Sequence, residues 1–317
     1  MNQVFTNRVV SSILVYAIVS GFGLSWLILQ VVGPMLTTPF SLGSLANFPF
    51  GLDFAYLINL FFQLLITGLI LFAISHNSLD LITKAARGVV RVREGPSVER
   101  FDLNQRVQHL WIIVTMTVLA LTGFAQMNYE SWGRLVILPM GGLQVSMEVH
   151  LVAAFFLGLV IVYHFVFYSA KYIVSRARGE RPSLPIMIGL GDVKSLLQNV
   201  KYMLLGRGSE PHYGKYDYAQ KFDYWGIYWG TTILVAPGVL LWAFGSTFLG
   251  GLPFIFHTDE AMLAVLFLLV FHFYQTHFNP QAFPVNTVFL TGKTVMGELQ
   301  EDHPWGLRGG ARGGRKD

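Results

Sequence analysis

The stretch HTDEAMLAVLFLLVFH, from His257 to His272, places a long apolar run between two histidines fifteen residues apart. Its charged side chains, Asp259 and Glu260, stand at its start, and mainly apolar residues continue to Phe278. A helix needs about 20 mainly apolar residues to cross a membrane. The stretch therefore predicts a spanning helix over 259–278 with a histidine near each end.

The rest of the chain has the same apolar character. Of its 317 residues 53% are hydrophobic and 13% are charged, whereas soluble domains carry about 25% charged residues. Five further apolar runs are long enough to span, roughly 9–32, 54–75, 107–127, 149–173 and 224–248. The sequence thus predicts an all-α integral membrane protein with six transmembrane helices.

The basic residues give this arrangement a direction. With six spans, Arg134 is the one basic residue out of 22 that does not fall on the side of the N-terminus. Cytoplasmic segments of membrane proteins are enriched in Lys and Arg. We therefore expect a multi-pass protein of a bacterial or archaeal cytoplasmic membrane with both termini in the cytoplasm.

The segments between the spans suggest three regions. Residues 1–97 hold two N-terminal helices and a basic inner loop, residues 98–304 hold the last four helices, and residues 305–317 form a Gly- and Arg-rich tail predicted to be disordered. Within 191–204, apolar residues recur at helical spacing. This pattern predicts an amphipathic helix that lies on the inner membrane surface or packs on a partner subunit.

The absence of cysteine limits the chemistry. Without thiols the chain cannot form disulfides, iron–sulfur clusters or thioether-linked haem. It also lacks a nucleotide-binding glycine motif, and we expect no nucleic-acid partner. Any redox group must be held by histidine, methionine or weaker contacts.

Four of the nine histidines form two pairs that are level in predicted depth. His150 and His257 begin the fourth and sixth spans at the outer face, whereas His109 and His272 lie near the inner face. Fifteen helical residues separate His257 from His272 by roughly 22 Å, with an angle of about 60° between them, so one helix face presents both. Because two imidazoles saturate a haem iron, the pattern predicts an outer and an inner b-type haem.

His164 leaves the inner pair open. It lies fourteen residues after His150 and therefore at the predicted depth of His272. Either His109 binds the inner haem and His164 serves a quinone or a propionate, or His164 is the ligand and His109 its neighbour. A third haem, held by His164 with His277 or His76, is the less favoured alternative, and His76 is otherwise interpreted as structural or interfacial.

Other candidates have supporting roles. Arg106, one turn before His109, is the best candidate to bind the propionates of the inner haem, and Arg134 is a candidate for the outer one. Proton-carrying side chains at the inner depth mark a candidate quinone pocket: Tyr163, His164, Tyr274 and His277.

The chain resembles the cytochrome b (gamma) subunit of formate dehydrogenase-type respiratory complexes over roughly residues 98–304. The likeness rests on RFDLNQRVQHLW (Arg100–Trp111) with LTGF (Leu121–Phe124), on KYDYAQK (Lys215–Lys221) with DYW (Asp223–Trp225), and on His257, FHFYQTH (Phe271–His277), Pro280, FP (Phe283–Pro284) and TGK (Thr291–Lys293). It implies a four-helix di-haem cytochrome b bundle preceded by two extra helices, with iron ligands His109, His150, His257 and His272. His164 has no ligand role in that family.

The resemblance also implies the partners. A menaquinone site would lie near the inner haem, and a redox subunit, such as an iron–sulfur or multihaem cytochrome protein, would bind on the outer face. The chain would then be a non-catalytic or quinone-reactive electron-transfer subunit of an oxidoreductase complex, in either direction of electron flow. Two rival interpretations are a membrane transporter with a histidine proton relay, which would need carboxylates inside the spans, and a cofactor-free membrane anchor of a larger complex.

Overall fold

The computed structural model describes residues 3–33, 52–87, 95–206 and 211–302. Seven helices account for most of them: α1 (Gln3–Leu27), α2 (Leu52–Arg87), α3 (Leu103–Met127), α4 (Leu143–Ala177), α5 (Leu190–Leu205), α6 (Tyr218–Phe244) and α7 (Leu252–Phe267). π-Helical turns continue α1 over Ile28–Val32 and α7 over Leu268–His272 and Tyr274–Phe278. Shorter elements are helical turns at Tyr129–Gly133, Arg134–Ile137, Phe248–Gly251, Val288–Thr291 and Met296–Asp302, and two paired strands, Ser97–Glu99 and Lys293–Val295.

Within the described residues, six helices are long and apolar enough to cross a membrane: α1, α2, α3, α4, α6 and α7 with its extensions. The predicted all-α integral membrane fold with six spans is therefore confirmed. The observed helices are longer than the predicted apolar runs, because polar residues cap and extend them. Asp102 accepts a hydrogen bond from the backbone of Gln105 at 2.8 Å and so starts α3 four residues before the apolar run. Asp217 caps α6 in the same way through Gln220, at 2.7 Å.

Contacts divide the chain into two compact units. The first contains α1, α2, α5, α6 and α7. Its apolar core joins α1 and α2 to α7 through Leu27, Ile66, Ile70, Met262 and Leu266. A second cluster joins α2, α6 and α7: Ala73, Ala219, Val270 and Phe271.

Polar contacts reinforce the packing of α2 on α7. Asn77, which is fully buried, donates to the backbone oxygen of Val270 at 2.8 Å and accepts from Gln275 at 2.9 Å. The hydroxyl of Tyr274 donates to Asp80 at 2.8 Å. Because unsatisfied polar groups are costly in an apolar environment, these bonds make α2 an integral part of this unit.

The amphipathic helix predicted over 191–204 is confirmed as α5. Its polar residues contact α2 and α6 of the same unit. Asp192 pairs with Lys221 at 2.8 Å, Asn199 donates to the hydroxyl of Tyr218 at 2.8 Å, and Tyr202 lies under the guanidinium of Arg87. Apolar side chains on the helix stay exposed: Val193, Leu197 and Leu204. That surface is available to lipid or to a partner, as the sequence predicts.

The second unit consists mainly of α3, α4 and the turn Val288–Thr291. α3 and α4 are antiparallel, since the first turns of α3 contact the later turns of α4 and the end of α3 contacts its beginning. Asn104 thus accepts from Tyr163 at 3.0 Å, and Gln126 donates to Ser146 at 3.1 Å. Each histidine environment described below is built within one of these two units.

The grouping by contacts places the first two helices with α6 and α7, whereas the predicted domains group helices by their proposed haem ligands. The predicted boundaries at residues 97 and 304 therefore stay a prediction. The predicted disordered tail, 305–317, and the inner-loop positions 88–94 lie outside the described residues.

Candidate functional site

The predicted iron ligands are divided between the two units. His109, His150, His164 and Arg106 belong to the second unit, and His257 and His272 to the first. Each predicted pair takes one histidine from each unit, so the pairing itself stays a prediction. The environment of each ring can be read within its own unit.

His272 lies at the end of a π-helical turn in the first unit. Its Nδ1 donates to the carboxylate of Asp223 on α6 at 2.5 Å, and both side chains are largely buried. A carboxylate that accepts from one ring nitrogen fixes the orientation of the imidazole and raises the basicity of the other nitrogen, as is common for histidines that bind metals.

His257 lies in the second turn of α7 and faces α6. Its Nδ1 donates to the backbone oxygen of Leu234 at 2.8 Å. Pro237 stands in the same turn of α6 and lacks the N–H that would bond to the backbone oxygen of Ile233, so the helical hydrogen bonds of α6 are interrupted one residue before Leu234. A Cβ atom on Gly238 would lie 3.0 Å from Cε1 of His257, so the glycine makes room for the ring.

His150 has an equivalent environment in the second unit. The hydroxyl of Thr122 on α3 donates to the backbone oxygen of Val118 at 2.7 Å, so its oxygen accepts from Nδ1 of His150 at 2.8 Å. A Cβ atom on Gly123 would lie 3.2 Å from Cε1 of His150. Each of the two predicted outer ligands therefore has its own glycine and its own oxygen acceptor on the neighbouring helix.

The three rings have one chemical property in common. In His150, His257 and His272, Nδ1 carries the proton because its partner is an oxygen acceptor. A neutral imidazole of this tautomer keeps its lone pair on Nε2, the nitrogen that can bind a metal while Nδ1 is held by the protein. The arrangement is chemically suited to axial ligation of haem iron.

His109 and Arg106 lie near the start of α3. The ring of His109 is edge-on to Phe289, with ring centres 5.7 Å apart. Arg106 donates from Nη1 to the backbone oxygen of Leu290 at 2.7 Å. Gly292 has a left-handed backbone conformation (φ 73°), and a Cβ there would be 2.4 Å from the backbone oxygen of Phe101. Arg106 thus holds the segment after α7 against α3, a contact that the sequence does not predict.

Within each unit the predicted ligands lie at two levels. Along α3, His109 and Thr122, the partner of His150, are thirteen residues or about 20 Å apart. Along α6, Asp223 and Leu234, which hold His272 and His257, are eleven residues or about 16 Å apart. The 60° angle predicted for His257 and His272 assumed a regular α-helix, and the π-helical turn at Leu268–His272 changes it.

His164 is buried and lies against Gln108. Its Nδ1 is 2.7 Å from the amide oxygen of Gln108, and its ring packs on Tyr168 with centres 4.6 Å apart. The bond to Gln108 gives His164 the same tautomer as the three rings above. Its two predicted roles, iron ligand or contact to a quinone or a propionate, therefore both stay predictions.

The environments of His76 and His277 argue against their use in a third haem site. Asn199 donates to the hydroxyl of Tyr218, which in turn donates to Nε2 of His76 at 2.7 Å. Nδ1 of His76 faces Asn77 at 3.3 Å, so both nitrogens have protein partners. His277 accepts from the backbone N–H of Asn286 at Nδ1, at 3.3 Å, which places a neutral ring in the opposite tautomer.

Carboxylates lie further inside the sixth span than the sequence suggests. α7 begins at Leu252, so Asp259 and Glu260 are in its third turn rather than at its edge, and Glu260 is buried. A Cβ atom on Gly230 of α6 would lie 2.8 Å from a carboxylate oxygen of Glu260. Arg134, the other propionate candidate, pairs with Glu130 one turn earlier.

Several residues that hold the histidines are not identified by the sequence. Thr122 and Asp223 are part of the quoted resemblance without an assigned role, whereas Leu234 and Gly238 have no distinctive signal. They are defined by which turn of one helix faces which turn of the next, and a single apolar sequence does not contain that register. Gly123 also belongs to the quoted LTGF stretch, again without an assigned role.

Comparison with known proteins gives no family assignment. The chain matches no protein-family model, and no curated protein matches its sequence. The chemistry of its own residues is therefore the basis for a functional conclusion.

Proposed function

We propose that the chain is the di-haem cytochrome b subunit of a respiratory redox complex. It would transfer electrons across the membrane between a partner redox subunit on the outer face and a quinone, such as menaquinone, near the inner face. His150 and His257 would hold an outer haem b, and His109 and His272 an inner one.

The observation that carries the proposal is the common state of three predicted ligands. His150, His257 and His272 each give the Nδ1 proton to an oxygen on a neighbouring helix. Structural histidines do not need this tautomer, as the opposite form of His277 illustrates. Axial ligation through Nε2 does need it, because the lone pair must face the iron.

The residues around the rings support the proposed role of the histidines as ligands. Gly123 and Gly238 lie against the rings of His150 and His257, where a larger side chain would displace the imidazole. When bound, haem would supply the one-electron iron chemistry that the side chains lack. The protein's contribution would be to fix ring orientation through Thr122, Leu234 and Asp223 and to surround the rings with apolar helices.

The distribution of charge supports the proposed topology, and the resemblance supports the proposed partner. With basic residues almost confined to one side, the positive-inside rule supports a bacterial or archaeal cytoplasmic membrane and cytoplasmic termini. The resemblance implies an iron–sulfur or multihaem cytochrome protein as the outer redox partner. Substrate-specific catalysis would then lie on another subunit.

The test is spectroscopic. We expect the full chain, purified in dodecyl maltoside from a host that makes haem, to show a Soret band, a reduced b-type α band and two haems per chain. His150→Ala and His257→Ala should remove the same haem, identified by its potential in a redox titration, and His109→Ala and His272→Ala the other. His212→Ala, in an exposed position, serves as the matched control and should keep both haems.

Two results would contradict the proposal. A colourless, folded protein would favour the transporter or the anchor. Loss of different haems on replacing His150 and His257 would show that the pairing is wrong even if the chain binds haem.

A further inference from the structure

A groove of about 310 Å³ lies within the second unit, between the first turns of α3 and the later turns of α4. Its lining is mainly apolar and aromatic, with two amides: Asn104, Val107, Gln108, Trp111, Phe156, Leu159, Val160 and Tyr163. None of the four predicted iron ligands lines it. The lining of the groove is therefore distinct from the predicted iron ligands, although Gln108 connects it to His164.

Both amides have buried N–H donors without a hydrogen-bond acceptor. These are Nδ2 of Asn104 and Nε2 of Gln108. Their oxygens, in contrast, are occupied: Asn104 accepts from Tyr163 at 3.0 Å, and Gln108 lies 2.7 Å from Nδ1 of His164. The oxygens hold each amide in place, and Gln108 is only 5% exposed. Buried donors without acceptors are rare in folded proteins, and these two belong to side chains that line the same groove.

Aromatic rings form the walls beside these donors. Trp111 of α3 and Phe156 of α4 are stacked with centres 5.6 Å apart and planes inclined by 21°. Trp111 and Tyr163 remain 45% and 47% exposed, so the groove is open to the medium around the helices. A ligand that enters from a membrane and suits these walls is apolar and carries an uncharged acceptor.

We propose that this groove binds a carbonyl group of a lipid-phase molecule, with Asn104 and Gln108 donating to its oxygen. Two membrane components have this chemistry, the ring carbonyls of a quinone and the ester carbonyls of a phospholipid. The stacked aromatic walls suit both a planar ring and an acyl chain. Of the two ligands, only the quinone depends on the function proposed above. If the ligand is a quinone, the groove would bind its head group.

Isosteric variants isolate the donors. Asn104→Asp and Gln108→Glu keep the oxygens that bind Tyr163 and His164 but replace each N–H₂ with an acceptor oxygen. Gln108→Met removes the donor without adding charge. Thr117→Val is the matched control, because Thr117 lies on α3 outside the groove and bonds only to the backbone of its own helix, at Ile113.

The measurement is equilibrium dialysis of the full chain in dodecyl maltoside, a detergent without carbonyl groups. The probes are radiolabelled menadione in one arm and radiolabelled dihexanoyl phosphatidylcholine in the other. We expect saturable binding in at least one arm, roughly tenfold weaker in each single donor variant and unchanged in Thr117→Val. The arm that shows it identifies the source.

Two outcomes would overturn the proposal: no saturable binding of either probe, or equal binding by the wild-type chain and the Asn104→Asp/Gln108→Glu double variant. Haem content is recorded on the same samples from the Soret band. Donor-dependent probe binding by a colourless protein would support the proposed groove and contradict the proposed cytochrome. Two haems per chain without donor-dependent binding would support the cytochrome and contradict the groove.

Discussion

The carboxylate of Asp223 accepts a hydrogen bond from Nδ1 of His272 at a distance of 2.5 Å, and both side chains are largely buried. Carboxylate partners increase the electron donation of an imidazole to a metal, which stabilises the oxidised metal. In the proposed cytochrome, Asp223 would therefore tune the inner haem without touching it.

Replacing Asp223 with Asn should loosen the inner haem. The amide can still accept from Nδ1 but carries no charge, so we expect roughly 10–100-fold weaker haem binding at that level and a higher midpoint potential for the haem that remains. A redox titration followed at the α band measures both. Asp192→Asn is the control, since Asp192 is similarly buried but pairs with Lys221; a shift as large in this variant would contradict the assigned role.

Adding a methyl group at Gly238 or Gly123 should disturb the outer haem selectively. Gly238→Ala and Gly123→Ala bring a Cβ to within 3.0 and 3.2 Å of the rings of His257 and His150, respectively. We expect each to lower the content of the same haem, measured as haem per chain together with the redox titration. Gly226→Ala, on α6 like Gly238, and Gly158→Ala, on α4 like His150, meet no atom within 4 Å and should leave both haems in place.

The orientation can be tested with cysteine labelling, because the natural chain has no cysteine. In right-side-out vesicles we expect Leu138→Cys, in the exposed turn between α3 and α4, to react with a membrane-impermeant maleimide. Lys215→Cys, just before α6, should react only after the vesicles are opened. The reverse pattern would place the termini outside, and the redox partner would then have to bind on the other face.

Loss of the Asn77 side chain should destabilise the first unit. Asn77→Ala removes the donor to Val270 and the acceptor of Gln275, leaving buried groups without partners at about 1–3 kcal/mol each. We expect a clearly lower thermal unfolding midpoint by circular dichroism in detergent. Thr67→Val is the control, because the hydroxyl of Thr67 bonds only to its own helix, at Gln63; an equal decrease in both variants would mean that the contact between α2 and α7 contributes little.

The sequence predicts the helices better than it predicts their ends. Apolar length alone identifies all six spans, because a membrane imposes that length on any helix that crosses it. The true starts of α3 and α6 depend on Asp102 and Asp217, polar caps that lie outside an apolar window. The same bias places Asp259 and Glu260 at a helix edge, whereas α7 extends seven residues beyond the predicted start.

For the candidate site, the sequence predicts which rings matter but not what holds them. The spacing of His257 and His272 on one helix is visible without any structure. The partners Thr122, Leu234 and Asp223 depend on how neighbouring helices face each other. The unsatisfied amides of Asn104 and Gln108 are equally invisible in sequence, because an unpaired donor is defined by everything around it.

The hydrogen bond from Asn77 to the backbone of Val270 bears on how small this protein can be made. A shortened chain starting at residue 98 would keep every proposed iron ligand, yet the surface of α7 that now meets α1 and α2 would face acyl chains. Val270 would lose its side-chain donor, and Tyr274 would lose the carboxylate of Asp80. The two N-terminal helices therefore supply hydrogen-bond partners to α7 that acyl chains cannot supply. Their removal should be tolerated only if another protein covers the same surface.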